Sequence, residues 1–448
     1  MGKRVITYGT FDLFHEGHRR LLERAKQLGD HLTVGVTTDA YDESRGKLGV
    51  VQSLAQRIEN VRLSGLADAI VVEEYEGQKV QDIQKYDIDL FVIGSDWLGQ
   101  FDYLTEYCEV TYLERTRGVS STQLRDLNGG VIRLGIVGAG RIAERMVAEA
   151  RFVSGIAVQS VCSRTVTRAK AFAEKFEIAD AYTTFDDMLS NSDAVYIATP
   201  HGTHHALASK ALDAGVHVLC EKPLALTYTD AADLFARAEA SNTVLLEAIK
   251  TAFAPGFQRM LAVAHSGAIG TLRSVDATFT KLVTEGREYD APDGGSITEL
   301  ASYPMLAAAK LLGPTPLAQS TMSLIPDGCD VDVFSRTNLT YPHAIASITT
   351  GIGVKAEGDL VVAGSLGYLY VPAPWWLTEY FETRFEDSSN NRKYYYKFDG
   401  DGLRYELAEF VRMIRSGART TFKLRPAESI AIAKMIEQAR SDSATILT

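Results

Sequence analysis

The sequence lacks an excess of basic charge, a long apolar run, paired cysteines and internal repetition, and each absence closes a class of function. Its 448 residues carry 46 Lys and Arg against 57 Asp and Glu, a net charge of −11. That balance argues against a broad nucleic-acid footprint or attraction to an anionic membrane. A local phosphate site stays open. No apolar run approaches the ~18 residues that a membrane span needs, so no membrane insertion is expected. The opening Met1-Gly2-Lys3-Arg4, followed by a strand, has no apolar leader. The four cysteines, Cys108, Cys162, Cys220 and Cys329, lie far apart without a Cys-x-x-Cys pair. They read as reduced thiols of a cytoplasmic protein. No repeat of solenoid period and no low-complexity segment appears.

What is present is an ordinary globular mixture, 46% hydrophobic and 23% charged. The length fits two or three domains at roughly 100–200 residues each. Residues 4–8 form a short apolar strand followed by a turn and a helical pattern over 21–28. Residues 131–137 repeat that plan, with a glycine turn and a helix from Ile142. Between them, further apolar strands (31–36, 69–72, 90–93, 109–113) alternate with helical segments. Such alternation predicts α/β folding with parallel sheets covered on both faces. Asn128-Gly129-Gly130 is a turn signal that sets the first domain at 1–128. A second alternating domain is expected at 131–252. From 253 to 448 the pattern predicts an α+β domain with a large, mainly antiparallel sheet: strands at 272–283, 317–325, 331–339, 343–350, 358–364 and 367–371. Residues 383–400 read as a long hairpin or loop. Helices at 402–416 and 426–440, linked by a strand near 421–424, would pack back on that domain.

The first chemical constellation is Gly9-Thr10-Phe11-Asp12-Leu13-Phe14-His15-Glu16-Gly17-His18, which leaves the first strand and opens the first helix. Two histidines three apart share a helical face. At a helix N-terminus they join free N–H groups and the positive end of the dipole, which suits phosphate. Gly17 permits close approach to the backbone. The plain alternative is that His15 and His18 only cap the helix. With Gly94-Ser95-Asp96-Trp97 and Arg115-Thr116-Arg117-Gly118-Val119-Ser120-Ser121-Thr122, this stretch resembles the HxGH nucleotidyltransferases, specifically the glycerol-3-phosphate cytidylyltransferases, over 1–125. Ser121 departs from the family's Thr but keeps the hydroxyl.

That resemblance implies transfer of CMP from CTP to a polyol phosphate, with pyrophosphate leaving. The nucleophile is already an anion, so catalysis rests on positioning and charge neutralisation. His15 and His18 are the expected catalytic donors. Thr10, Phe11, Asp12, Gly17, Asp96, Arg115, Thr116, Ser120, Ser121 and Thr122 are expected to bind the nucleotide. Lys47 and Arg57 are candidates to grip the acceptor phosphate; the alternative for Lys47 is a solvated loop charge. Mg²⁺ is expected with the triphosphate, with Asp12 or Asp96 as candidate ligands.

The second constellation is Gly138-Ala139-Gly140-Arg141-Ile142-Ala143, a Gly-x-Gly-x-x-Ala turn in its strand–turn–helix setting. After the next strand stands Cys162-Ser163-Arg164-Thr165 rather than an acidic residue. A hydroxyl and a guanidinium suit a 2′-phosphate, so NADP(H) is favoured over NAD(H); the alternative is that Arg164 stacks on adenine. Thr199-Pro200-His201 and Glu221-Lys222-Pro223 follow later strands. With the Asp293–Pro304 stretch, these resemble the Gfo/Idh/MocA oxidoreductases over about 131–448.

That second resemblance implies dinucleotide contacts from Gly138, Gly140, Arg141, Ile142, Ser163, Arg164, Thr199, Pro200, Glu221 and Lys222. It makes Lys222 and Tyr303 the catalytic pair, with Tyr303 a general acid whose phenol pKa a nearby ammonium would lower. Lys250 and Glu299 would contact substrate. Glu299 and Ala301 stand where the family usually has Asp and Gly. His201, His204 and His205 are candidates to line the cleft, without a structural metal.

Together the halves predict a bifunctional enzyme. NAD(P)H-dependent reduction of a keto-sugar or ketotriose phosphate would supply a polyol phosphate, and cytidylylation would yield a CDP-polyol for a cell-surface polymer. The alternatives are a cytidylyltransferase joined to a non-catalytic dinucleotide-binding and oligomerisation module, or an adenylyltransferase/oxidoreductase fusion. A homo-oligomer, dimer or tetramer, is expected.

Overall fold

The computed structural model describes residues 2–44, 46–114, 130–283 and 285–442. The chain divides after Asp193 into two compact units. The strands of the described residues are taken in three groups. The first contains β1 (Arg4–Gly9), β2 (His31–Thr37), β3 (Ala69–Glu73), β4 (Leu90–Gly94) and β5 (Glu109–Leu113) in the order β3-β2-β1-β4-β5. All neighbours run parallel. Alternate side chains go to opposite faces of each strand. Val5, Leu32, Val34, Val36, Leu90 and Val92 pack on one face beside Leu22 and Val61 from the helices Glu16–Lys26 and Leu54–Leu63. Ile6, Tyr8, Phe91 and Ile93 pack on the other with Ile83 of the helix Gln78–Lys85. The strand order reverses between β1 and β4, and ligands of such sheets collect at the carboxyl ends beside that reversal.

Two further sets of three parallel strands follow, in the order β6-β7-β8 in the first unit and β9-β10-β11 in the second. The first unit holds β6 (Ile132–Val137), β7 (Ile156–Cys162) and β8 (Asp180–Tyr182) with the helices Arg141–Ala150 and Val166–Lys175. The second unit holds β9 (Ala194–Ile197), β10 (His217–Glu221) and β11 (Leu245–Ala248) with the helices His204–Asp213 and Tyr228–Ala240.

The third group is a sheet of eight strands: β12 (Leu272–Thr280), β13 (Ala318–Leu324), β14 (Phe334–Thr340), β15 (Ile345–Gly351), β16 (Leu360–Gly364), β17 (Tyr368–Val371), β18 (Tyr380–Arg384) and β19 (Arg392–Tyr395). Their order is β13-β14-β15-β12-β16-β17-β18-β19. β12 and β15 pair parallel and the other neighbours antiparallel. The helix Ser302–Leu312 packs on β12 and against the helix Pro426–Asp442. One expectation is corrected: the segment near 421–424 forms bends rather than a strand. The stretch 383–400 holds the expected hairpin, from the end of β18 through β19. Among the described residues, no helix is long and apolar enough to cross a membrane.

Candidate active sites

The turn leaving β1 is strained and braced. Phe11 (φ 53°) and Leu13 (φ 46°) both adopt the left-handed region, at a cost of order 1–3 kcal/mol each that surrounding bonds must offset. Asp12 supplies two of those bonds. Its buried carboxylate accepts from Val51 N at 2.9 Å and Gln52 N at 2.8 Å. Leu13 N donates to Gln52 Oε1 at 2.9 Å.

The turn delivers His15 to the N-cap of the helix Glu16–Lys26. Gly17 N donates to His15 Nδ1 at 3.1 Å, and His15 N points at His18 Nδ1 at 3.4 Å. The two rings stack with centroids 3.8 Å apart. Both histidines therefore do cap the helix, and the capping fixes their chemistry. A ring that accepts at Nδ1 carries its proton on Nε2, so each neutral imidazole is an Nε2–H donor. Burial first, then His15 and Lys47, pushes the His18 imidazole well below its ordinary 6.5. It is a neutral donor at neutral pH. Gly17 is needed because a Cβ there would lie 2.9 Å from His15 Cε1; what approaches its backbone is the capping ring.

His15, His18, Lys47, Asp96 and Trp97 line one cavity of about 1060 Å³. Thr10, Phe11 and Gly17 line it as well. Arg57 does not face it and is corrected here. It is fully buried and donates to the carbonyls of Gln52, Thr10 and Thr37 and to the Asp39 carboxylate. A guanidinium so committed frames the turn rather than gripping an acceptor. Arg115, Thr116, Ser120, Ser121 and Thr122 lie outside the described residues. Among the described residues, no group of three or more His, Cys, Asp or Glu side chains is placed to hold a metal ion. With both Asp12 oxygens turned to backbone N–H groups, the chain does not fit a resident Mg²⁺ at Asp12.

Still in the first unit, Gly138 takes φ 104° and its N donates to Cys162 O at 2.9 Å. Gly140 is the N-cap of the helix Arg141–Ala150 and offers no side-chain cap. A Cβ at Gly140 would meet nothing within 4 Å. An uncapped helix N-terminus beside open space fits a dinucleotide pyrophosphate. Ser163 follows β7, and Arg164 beside it is exposed.

In the second unit, His201 and Glu299 meet. His201 Nε2 lies 2.9 Å from Glu299 Oε1, and both side chains are buried. Lys222 Nζ donates to the Glu299 carbonyl at 2.8 Å. Arg287 approaches Glu299 Oε1 at 3.7 Å. Burial raises the Glu299 pKa, but the His201 hydrogen bond and the Lys222, His201 and Arg287 charges outweigh it and hold the carboxyl at about 2. Burial lowers the His201 pKa against the pull of Glu299. A neutral His201 donating from Nε2 leaves a lone pair on Nδ1, and that buried Nδ1 has no hydrogen-bond partner among the described residues.

Tyr303 sits near this cluster, with Lys222 Nζ 5.9 Å from its ring centroid and Phe279 edge-on at 5.2 Å. The expected lowering of its phenol pKa is reversed. Burial, then the Glu221 and Glu406 charges, pushes it well above 10.0. The nearby ammonium does not overcome them. Glu221 accepts from Tyr196 OH and from Lys222 N, and burial raises its pKa. Thr199 Oγ1 accepts from Thr203 Oγ1 at 2.7 Å, and Pro200 caps the turn His201–Thr203. Lys250 Nζ donates to Asp401 O at 2.7 Å.

The three histidines do not converge. His204 lies between Pro223 O and Thr199 O, each at 2.9 Å, and burial holds its pKa at about 4. A neutral ring can donate to only one of those carbonyls at a time. His205 points to Asp233 at 2.9 Å. Sequence reasoning had both His201 and Glu299 in view but missed their pairing, and it missed Arg287 and Tyr196 altogether. Partners 98 residues apart leave no local spacing to read.

Comparison with known proteins gives two family matches. Residues 6–127 match the family described as cytidylyltransferase-like, and residues 132–248 match the oxidoreductase family with an NAD-binding Rossmann fold. The glycerol-3-phosphate cytidylyltransferase of Bacillus spizizenii is 53% identical over 123 residues, covering 28% of this chain and 95% of that protein. The trans-1,2-dihydrobenzene-1,2-diol dehydrogenase of Sus scrofa is 28% identical over 322 residues, covering 69% of this chain and 96% of that protein. Among solved structures, KijD10, a 3-ketoreductase from Actinomadura kijaniata in complex with NADP and TDP-benzene, matches with a TM-score of 0.64 at 25% identity. That match covers 70% of this chain and 98% of the other. The chain thus belongs to the cytidylyltransferase family through its N-terminal domain, which is fused to a Gfo/Idh/MocA-type NAD(P)-binding oxidoreductase domain.

Proposed function

We propose that the protein transfers CMP from CTP to glycerol phosphate or another polyol phosphate, and that its second half uses NADPH to reduce a keto-sugar or ketotriose phosphate to that polyol phosphate. The observation that carries the transferase reading is the His15–His18 pair, two stacked rings with Nδ1 turned to backbone and Nε2–H left as donor. In the reaction an acceptor phosphate oxygen forms a bond to the α-phosphorus and the bond to the leaving pyrophosphate breaks. Neutral donors beside the α-phosphate and bridging oxygen stabilise the charge that grows there. Lys47 is the candidate to hold the acceptor phosphate. Mg²⁺ would enter with the triphosphate, since among the described residues no group of three or more His, Cys, Asp or Glu side chains is placed to hold a metal ion. The 53% identity to a protein that carries glycerol-3-phosphate in its name supports a triose-sized acceptor.

For reduction, the bound nicotinamide supplies the hydride. Gly138, Gly140 and the helix N-terminus of Arg141–Ala150 suit the pyrophosphate, and exposed Arg164 beside Ser163 suits a 2′-phosphate. The NADP complex of KijD10 supports that preference. Lys222 places an ammonium to polarise the substrate carbonyl. Tyr303 stays protonated and can donate to the same oxygen. The ionised Glu299 carboxylate keeps His201 oriented while the Glu299 backbone carbonyl holds Lys222, and the His201 Nδ1 is the candidate acceptor for a substrate hydroxyl. Such a polyol product is a fitting donor group for a phosphodiester-linked surface polymer.

Two assays on the whole protein test the halves separately. Pyrophosphate release with glycerol phosphate is expected with CTP and not with ATP; the reverse preference would make the first half an adenylyltransferase. Oxidation of NADPH is expected with dihydroxyacetone phosphate or a ketopentose phosphate. NADPH binding without turnover on any ketose would reduce the second half to a binding module.

A further inference from the structure

We propose that the transferase cavity is completed by the fold that follows it, with Arg151 as a positioning residue for two of its loops. This rests on the cytidylyltransferase reading of that cavity. The observations all lie in the first unit. Arg151 and Phe152 line the same cavity as His15, His18 and Lys47, yet they belong to the turn after the helix Arg141–Ala150.

Arg151 touches both loops singled out as nucleotide- and acceptor-binding. Its carbonyl accepts from Lys47 Nζ at 3.3 Å. Its Nη1 donates to the Asp96 carbonyl at 2.8 Å, and its guanidinium lies 5.6 Å from the Trp97 ring centroid and 4.9 Å from that of Phe152. The backbone repeats the tie. Leu48 N donates to Phe152 O at 2.6 Å, Ser154 N donates to Leu48 O at 2.8 Å, and Leu48 bridges Val153 in parallel register. A third tie joins Ser95 Oγ to Glu177 Oε2 at 3.1 Å. The Lys47 loop and the Ser95–Trp97 turn are therefore held by residues outside the nucleotide-binding sheet. A planar guanidinium suits this task, since one group donates to a carbonyl while stacking on an indole.

The Arg151 side chain holds the Asp96–Trp97 turn and does not touch the reacting atoms, so its loss should appear in nucleotide binding more than in turnover. The test uses the full chain as wild type, Arg151→Ala and Arg151→Lys. Hydrogen exchange at residues 95–98 should quicken by about tenfold or more in Arg151→Ala and return toward wild type in Arg151→Lys, which keeps a donor for Asp96 O, while residues 46–50, tied by main-chain groups that the substitution leaves in place, stay near wild type. The KM for CTP should rise about tenfold in Arg151→Ala with kcat within about threefold, while NADPH affinity stays unchanged as a check on folding. Unchanged exchange at 95–98, or an unchanged KM for CTP in an active enzyme, would overturn the proposal. If the wild type makes no CDP-glycerol, the functional reading fails, and the exchange measurement alone still decides whether Arg151 holds the turn.

Discussion

Histidine serves opposite ends in the two candidate sites, and the hydrogen-bond partner makes the difference. In the first, His15 and His18 spend Nδ1 on backbone N–H groups and keep Nε2–H as a donor. In the second, His201 spends its Nε2–H on a buried carboxylate and keeps Nδ1 as a lone pair. The first arrangement suits charge building on phosphate oxygens, where no proton need move. The second suits a polyhydroxy substrate whose carbonyl must gain a hydride and a proton. Residue type therefore says less than partner: an N–H aimed at Nδ1 makes a neutral donor, and a carboxylate at Nε2 makes an acceptor.

The strongest way to break this comparison is His18→Ala. Removing one preorganised donor is expected to lower CMP transfer by about 10²–10³-fold while NADPH oxidation continues unchanged; steady-state rates of both reactions check it. The mirror variant, Lys222→Met, should lower reduction by about 10²-fold and leave transfer intact. Equal losses in both reactions from either variant would mean that the two sites are not separate. Arg164→Ala sharpens the cofactor side. The KM for NADPH should rise about tenfold and that for NADH hardly at all, because only NADPH carries the 2′-phosphate.

Acid titration gives the smallest effect, and its sign follows from burial. His204 is held at about 4 against an ordinary 6.5, so between those values the native state binds fewer protons than the unfolded chain. Stability then rises with pH in that window, and about 3 kcal/mol is lost as pH falls from 6.5 through 4. Glu299, depressed to about 2 from 4.5, gives stability that is present above 4.5 and lost as pH falls through 2. Denaturant unfolding at a series of pH values should show both windows, and His204→Gln should flatten only the upper one.

The fold was largely legible because its signals are local. Alternating apolar strands gave the sets of parallel strands, and the run of strands after 270 gave the large eight-stranded sheet. The glycine turns and the two histidines announced themselves by spacing. What failed was non-local. Arg57 looked like a phosphate ligand because a sequence shows charge but not the three carbonyls that surround it. The Tyr303 phenol shifts up rather than down because Glu221 and Glu406, at distant positions in the chain, join burial in opposing the ammonium. The segment near 421–424 forms bends and joins no sheet.

The central claim is that one chain reduces a ketose phosphate and then activates the product. Mass spectrometry of a single reaction tests it most directly, with the protein, CTP, Mg²⁺ and a mixture of dihydroxyacetone phosphate and ketopentose phosphates, run with and without NADPH. A CDP-polyol that forms only when NADPH is present is the predicted result, and its mass gives the length of the polyol. CDP-glycerol from added glycerol phosphate, with no CDP-polyol from any ketose phosphate in the presence of NADPH, would contradict the coupling.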